Sequence, residues 1–418
     1  MNQKTLIVLG AAAIVAVGAA LFVDRSRAPR SDVAAQAGML VADLREHVND
    51  VGRINLTGAS NQPLVTLVRG DAGWTVAQRG GYAADLGKLR DFLLKLADAS
   101  LIEQKTSNKD RYAELGVEDI TGPTAGGVLV DIEGLPKPAR FIVGTFDGQG
   151  GSGTFVRRTD EAQSWLVKGT LTPDRNPADW LVKDLANIAA DRIASVTLTR
   201  ADGKPLRVYK KAAADVRFDI ADIPKGREAS SEFAANGLGS VLAELRIDDV
   251  VAAAEAAPPA DAIRARYVAF DGLVVDATAW KIGDKGHAQF VASLDAQAAD
   301  RHIVEAQATA AAEHATKVAA SAQPQPDAGK PAGEDPAAAG VTPESSNADH
   351  VEAPLGVSDP AKDRDQRLAA LNEEVAKLNV AFNGWSFVLP AYKYANIDKS
   401  IEDLLKPVEA KAPAKSGK

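Results

Sequence analysis

The sequence contains no cysteine among its 418 residues. This absence excludes disulfides, thiolate nucleophiles and zinc sites built on thiolates. It also excludes a lipoprotein, because lipid attachment of that type requires a cysteine near the N-terminus. Any chemistry of this chain has to use other side chains.

Histidines and recognisable catalytic motifs are also scarce. The histidines show no His-Glu-x-x-His arrangement and no metal-ligand spacing; they are His47, His287, His302, His314 and His350. The chain has neither a Gly-x-Ser-x-Gly elbow nor a Gly-Lys-Ser/Thr phosphate loop. Carboxylates are plentiful, but nothing in their spacing selects a pair. We predict no catalytic residue, no cofactor and no metal.

Basic residues do not dominate the sequence. The chain has 48 lysines and arginines against 56 acidic residues, which gives a formal net charge of −8. Nucleic-acid binding needs a basic face that neutralises phosphates, so nucleic acid is not a predicted partner. Solubility alone accounts for this charge.

Aromatic residues make up only 5% of the sequence. Four tryptophans lie in strand-like segments: Trp74, Trp165, Trp280 and Trp385. Their simplest interpretation is a place in the hydrophobic core. The alternative, a platform on which sugars stack, requires several of them to be exposed on one face.

A long apolar run is present at the N-terminus. The segment Leu6–Val23 carries no charge, and its 18 residues would form a helix about 27 Å long, close to the hydrocarbon thickness of a bilayer. We predict a transmembrane anchor within residues 1–30, with the bulk of the chain outside the cytoplasm. Residues 31–50 are predicted to form a juxtamembrane helix.

Three alternatives to this anchor stay open. The small residues Gly18, Ala19 and Ala20 could be part of the cleavage site of a signal peptide. More positive charges follow the segment than precede it, which favours the opposite orientation. The segment could also be a buried core helix.

After the anchor, short strand-like runs alternate with turns and helices, which predicts an α+β fold. A first module is predicted over residues 51–190. It contains one amphipathic helix whose apolar stripe faces the sheet; the stripe is Leu86, Leu89, Phe92, Leu93 and Leu96. A partner-binding groove is the alternative role of this stripe. A second short helix is predicted over "NPADWLVKDLANI", capped by Asn176.

The pattern then starts again, which predicts a tandem duplication of a mostly antiparallel module. "RIASVTLTR" matches "GRINLTG", and "SSEFAANGLGSVLAELRIDDVV" matches the first amphipathic helix and the strand after it. The inward residues of this second helix are predicted as Phe233, Leu238, Val241, Leu242 and Leu245. The region "GLVVDATAWKIGD" is matched to the two strands "GGVLVDI" and "ARFIVGT". The second module covers residues 191–295 and 380–407.

An insert at residues 296–379 has no counterpart in the first module. Its ends are predicted to be helical, with Asp359 capping the second helix and Leu368, Leu371, Val375 and Leu378 forming its stripe. Its middle is rich in proline and alanine and is predicted to be disordered, as is the tail at residues 408–418.

One motif suggests a nucleotide site. Gly148, Gly150 and Gly153 have the Gly-x-Gly-x-x-Gly spacing that cradles a pyrophosphate. Such a loop must lead from a strand into a helix, but Thr154–Arg157 are strand-like. We therefore predict a hairpin loop. These glycines, with Arg157 and Arg158 after them, remain the candidate contact residues for an anionic ligand or partner.

Two blocks of the sequence resemble the bacterial "domain of unknown function 4340" family. They are "GGYAADLGKLRDFLLKLADASLIEQKTSN" with "YAELGVED", and "GTFVRRTDEAQSWLVKG" with "PADWLVKDLANI". The resemblance covers residues 51–407 apart from the insert and supplies no catalytic residue. It implies a membrane-anchored envelope protein associated with auxiliary components of ABC-type transport and gliding systems.

These observations favour a non-enzymatic accessory or scaffold protein. It would be anchored once in the bacterial inner membrane, lie mostly in the periplasm, and contact other envelope proteins such as ABC transporter subunits. One alternative is a module that binds cell-envelope polymers or glycans. Another is a hydrolase that uses two carboxylates, which requires a pocket holding a close pair with shifted pKa values.

Overall fold

The computed structural model describes residues 38–148, 152–321 and 352–407. The predicted anchor at residues 1–30, most of the predicted disordered middle of the insert and the tail at 408–418 lie outside these residues. Across the three described ranges, no helix combines the length and the apolar character needed to cross a membrane. The chain divides into two compact units: Met1–Gln78 with Ala84–Trp180, and Arg79–Ala83 with Leu181–Lys418.

The first unit contains one antiparallel sheet. Its strands are β1 (Arg53–Thr57), β2 (Pro63–Gly70), β3 (Gly73–Val76), β5 (Leu101–Gln104), β6 (Val128–Glu133), β7 (Ala139–Asp147), β8 (Gly153–Arg158) and β9 (Ser164–Lys168), while β4 (Tyr82–Ala83) belongs to the second unit. Within the first unit the strand order is β3-β2-β1-β6-β7-β8-β9-β5. Its helices are α1 (Leu44–His47), α2 (Leu86–Ala97) and α3 (Tyr112–Leu115).

Helix α2 forms where the sequence predicts it. The Asp85 side chain caps it by accepting from the Lys88 backbone N–H at 3.0 Å. Four members of the predicted stripe are buried, namely Leu89, Phe92, Leu93 and Leu96. The fifth, Leu86, is 57% exposed, so its assignment to the core was wrong.

The second unit contains the strands β10 (Asp184–Ala186), β11 (Ile193–Thr199), β12 (Pro205–Tyr209), β13 (Asp219–Ile220), β14 (Leu245–Arg246), β15 (Asp249–Ala252), β16 (Ile263–Ala269), β17 (Leu273–Ile282), β18 (Lys285–Leu294) and β19 (Trp385–Leu389). Its helices are α4 (Asn236–Gly239), α5 (Ala296–Ser321), α6 (Leu355–Ser358), α7 (Pro360–Phe382) and α8 (Ala391–Ile397). The strand order of its main antiparallel sheet is β13-β12-β11-β16-β17-β18-β19-β15.

This order equals that of the first sheet with every strand number raised by ten. The α+β class with large antiparallel sheets is therefore confirmed, and the shared order supports a tandem duplication. The match between individual segments was wrong at one place. The counterpart of β6 is β16, which the sequence comparison missed, while Leu273–Ile282 forms the single strand β17.

Two predicted helices are much shorter than expected. In "SSEFAANGLGSVLAELRIDDVV" only α4 is α-helical, and Phe233 is 51% exposed, whereas the other four predicted inward residues are buried. In "NPADWLVKDLANI" a 3-10 turn at Pro177–Trp180 is followed by β10. The Asn176 cap is confirmed, because its side chain accepts from the Ala178 N–H at 3.1 Å.

The ends of the insert are helical as predicted. Helices α5 and α7 enter between β18 and β19, where the first unit has only the turn that joins β8 to β9. Asp359 caps α7 by accepting from the Lys362 N–H at 3.1 Å. The predicted stripe of α7 is only half-buried.

The Arg192 guanidinium holds α7 on the second unit. It donates to Asp271 at 2.6 Å and to both carboxylate oxygens of Glu374 at 2.7 Å. The hydrogen bonds that the guanidinium donates to Glu374 raise the pKa of Arg192, burial lowers it, and the hydrogen bond donated to Asp271 raises it again. At the far end of α7, the Asn379 side chain bonds the backbone N–H and C=O of Ala292, each at 2.8 Å.

Candidate functional site

The glycine-rich stretch connects two strands, as predicted. Strand β7 pairs with β8 in antiparallel fashion, and Asp147 lies opposite Gly153. A Cβ atom on Gly153 would lie 2.6 Å from the Val167 carbonyl oxygen, so close packing of β8 on β9 accounts for this glycine. Gly148 directly follows β7, and Gly150 is outside the described residues.

Arg157 is turned into the protein. Its side chain is 5% exposed and donates to the Val117 carbonyl at 2.9 Å, with Asp119 as its ion-pair partner. The guanidinium also lies 4.7 Å from the centre of the Tyr112 ring. These contacts hold the segment that follows α3 against the sheet.

Arg158 has a similar role toward the start of the described chain. It donates to the carbonyls of Met39 at 2.8 Å and Leu40 at 3.1 Å and pairs with Glu161 at 2.9 Å. Both arginines therefore bind protein groups. A ligand contact at this place stays a prediction.

None of the four strand tryptophans is exposed. Trp280 is 4% exposed and stacks on His287, and Trp385 packs edge-on against Tyr82 with ring centres 5.1 Å apart. Trp74 and Trp165 are half-buried. A platform of several exposed tryptophans is absent among these four, but Trp74 lines a surface groove.

We call this cavity the first groove. Its volume is ≈ 730 Å³, a size typical of ligand sites. Helix α2, the β2–β3 hairpin and the 3-10 turn Val48–Asp50 form its walls. Trp74, Arg69, Leu86, Arg90 and Leu94 line it, and none of the described residues that line it is acidic.

Three of these residues form an exposed stripe along α2. Leu86, Arg90 and Leu94 follow one another at intervals of four residues and so share one helix face. Leu86 is 57% and Leu94 46% exposed. Within the part of the chain that the structure describes, the Arg90 side chain has no hydrogen-bond or ion-pair partner. The stripe thus offers two apolar side chains with a free cation between them.

The second unit has a cavity of ≈ 550 Å³ at the corresponding place in its strand order, and we call it the second groove. In both units, a basic residue at the end of the second strand bonds the segment that comes before the first strand. The backbone N–H of Arg69 bonds Gly52 O at 2.9 Å and its guanidinium bonds Asn49 O, while the N–H of Lys210 bonds Ala194 O at 2.8 Å and its ammonium bonds Ala190 O at 3.1 Å. The lining side chains differ between the grooves, because Asp191 and Asp215 line the second groove and no leucine does.

One carboxyl group with a raised pKa, that of Asp131, lies outside both grooves. Burial raises the pKa of Asp131, Arg140 at 3.2 Å lowers it, and Glu133 raises it further. Asp131 lies on β6 and lines neither groove. In the described ranges, no three histidine, aspartate or glutamate side chains are close enough together to hold a metal.

The chain's likeness to other proteins bears on both units. A family model, Domain of unknown function (DUF4340), matches residues 74–262. This match runs from β3 to the residue before β16 and supports the family resemblance. No curated protein and no solved structure matches the chain. The DUF4340 description names no activity, so function has to be argued from the grooves.

Sequence reasoning missed the stripe as a site. Leu86 was assigned to the core, and Leu94 and Arg90 were not considered. The signal was present, because a charged residue between leucines at intervals of four on the edge of a buried stripe points to a second, exposed face. Arg69 could not have been found, since its place beside α2 depends on the path of the β2–β3 hairpin.

Proposed function

We propose that this chain is a non-enzymatic accessory or scaffold protein of the bacterial envelope. It is anchored once in the inner membrane through Leu6–Val23, displays its two units in the periplasm and contacts subunits of an ABC-type transport system. The apolar N-terminal run and the DUF4340 match support this proposal. The membrane, compartment and transporter parts rest on sequence and resemblance.

One structural observation carries the contact function. Helix α2 buries five apolar side chains in its own unit and still exposes Leu86 and Leu94 beside Arg90, whose side chain is unpaired within the described residues. Large exposed apolar side chains rimmed by polar groups are typical of protein-binding surfaces. An enzyme would instead need converging catalytic groups in a cavity.

A second candidate function is binding of an envelope polymer or glycan. The observation that favours it is Trp74, whose ring lines the first groove and could stack on a sugar. A single half-buried tryptophan supports this candidate less than the exposed leucines support protein contact.

Site-specific crosslinking in cells tests the proposal. A photo-reactive amino acid replaces Leu94 in the full chain, and the matched control replaces Val380, which is 82% exposed on α7. We expect the Leu94 position to give a crosslink to a membrane-transport subunit and the control to give none. Recovery of the chain alone, or of polysaccharide, from the Leu94 position contradicts the proposal.

A further inference from the structure

We propose that the first groove binds an amphipathic helix of a partner protein, and that this helix carries a carboxylate between two large apolar side chains. The inference rests on the proposed function and names the chemistry of the partner. Its three supports are the spacing of the stripe on α2, the charge of the groove, and the contrast with the second unit.

The spacing of the stripe matches that of a second helix. Leu86 and Leu94 are eight residues apart, which is about 12 Å along a helix axis. A helix that packs beside α2 presents its own residues at intervals of three and four, so two of its apolar side chains can meet both leucines. The flank of the groove opposite α2 contains Trp74, a large ring for such a helix to pack on.

The charge of the groove selects a carboxylate. Arg69 and Arg90 line it, no described acidic residue does, and the whole chain has a net charge of −8. Arg90 lies between the two leucines on α2, so the partner residue that faces it lies between the partner's two apolar anchors. A guanidinium binds a carboxylate through two parallel hydrogen bonds, which fixes the position of that residue.

The second unit shows that the stripe is not needed to build such a unit. Its sheet has the same strand order, yet α4 has only four residues, and Leu238 on it is fully buried. The second groove contains no leucine and is lined by two aspartates. The large apolar side chains of the second groove are instead Val216, which is 77% exposed, and the buried Phe218. The arrangement of two exposed leucines with an arginine between them therefore belongs to the first groove.

Designed peptides test this inference with the purified full chain in detergent. Three helical peptides share one sequence with leucines four residues before and four residues after a central position, which is Glu, Gln or Lys. We expect the Glu peptide to bind about fivefold more tightly than the Lys peptide, the size of one well-placed ion pair. Fluorescence anisotropy measures the dissociation constants.

Two variants decide whether Arg90 sets this preference. Arg90→Glu should reverse the order of the Glu and Lys peptides, and Leu94→Ser should weaken all three. The matched control is Arg301→Glu, because Arg301 is also exposed on a helix and unpaired within the described residues. It makes the same change in net charge and should leave the order unchanged. Equal affinities for the three peptides, or an order that Arg90→Glu does not reverse, overturn the inference.

The peptide and crosslinking experiments fail in different ways. A transporter crosslink at Leu94 without charge preference among the peptides contradicts the inference of an acidic partner helix and supports the proposed accessory function. If Arg90→Glu reverses the order of the Glu and Lys peptides but no transporter crosslink forms, the inference about the groove is supported and the proposed accessory function is contradicted. A crosslink from Leu94 to a second copy of this chain overturns the inference of a different partner protein.

Discussion

The first and second units have sheets of the same strand order but different helices. In the first, the twelve-residue helix α2 buries one face and exposes Leu86 and Leu94, and a short turn joins β8 to β9. In the second, α4 has four residues, and α5 and α7 enter between β18 and β19. Both units share the strand order. Both also have a basic side chain, Arg69 or Lys210, that bonds the segment before the first strand. The two units thus share the sheet and differ in their helices.

The largest effect should come from residues with the same role in both units. Leu96 in α2 and Leu242 after α4 are each fully buried, so Leu96→Ala and Leu242→Ala should each lower the free energy of unfolding by about 2–5 kcal/mol. Leu94→Ala, at an exposed position of the same helix, should change it by less than about 0.5 kcal/mol. Urea unfolding gives these values, and hydrogen exchange locates each loss in its own unit. A large loss for Leu94→Ala would mean that the stripe is structural, and the comparison between units would break.

A smaller effect should distinguish the units at high pH. Burial raises the pKa of Tyr82 from 10.0 to about 12, and burial also raises the pKa of Tyr267; both belong to the second unit. The unfolded chain ionises first, so the stabilisation is complete below pH 10 and is lost as pH rises through the folded-state values. Between pH 10 and 12, the free energy of unfolding of Tyr82→Phe should therefore fall by about 2 kcal/mol less than that of the unaltered protein.

Urea unfolding at several alkaline pH values measures this dependence. Tyr392→Phe is the matched control, because Tyr392 is 64% exposed. An unchanged pH dependence in Tyr82→Phe would show that its burial against Trp385 and Phe387 does not hold in solution.

The smallest effect concerns the insert, which only the second unit has. Arg192→Ala leaves Glu374 and Asp271 without their partly buried cation and should cost about 1–2 kcal/mol. Hydrogen exchange should become faster in α7 and stay the same in the strands of the first unit. Arg301→Ala, at an exposed and unpaired position, serves as the control. Unaltered exchange in α7 would show that the other contacts of the helix suffice.

Much of this architecture could be predicted from apolar spacing alone. Alternating burial in β1 and the stripe of α2 follow directly from where the apolar residues lie. Strand β16 was missed because Arg264 and Arg266 alternate with small or isolated apolar residues, so its hydrophobic signal is weak. The alternation itself was nevertheless visible.

The prediction of a second long amphipathic helix was wrong because of the backbone conformation of this segment. Leu238, Val241, Leu242 and Leu245 have helical spacing and are buried, but the α-helix ends at Gly239 and does not reach Val241. A Cβ atom on Gly239 would lie 2.3 Å from the Phe218 ring, so this chain segment packs closer than a regular side chain allows. Glu244, with a φ of 45°, then turns the backbone out of the helical region.

The candidate site was the least predictable part. Periodicity shows that α2 has a buried face, but it does not show that Leu86 lies at the edge of that face. Arg157 and Arg158 were singled out because they follow the glycines, and their buried contacts depend on segments far away in sequence. A free arginine such as Arg90 can be recognised only when the partners of all its neighbours are known.

The place where the insert enters the second sheet has a practical use. Neighbouring antiparallel strands end close together, so a segment whose own ends meet can be added there while the ladder of hydrogen bonds continues on both sides. The first sheet offers the matching position at Asp160, which is exposed in the turn between β8 and β9. A fluorescent domain grafted at that turn would report on the folded protein in living cells without touching α2.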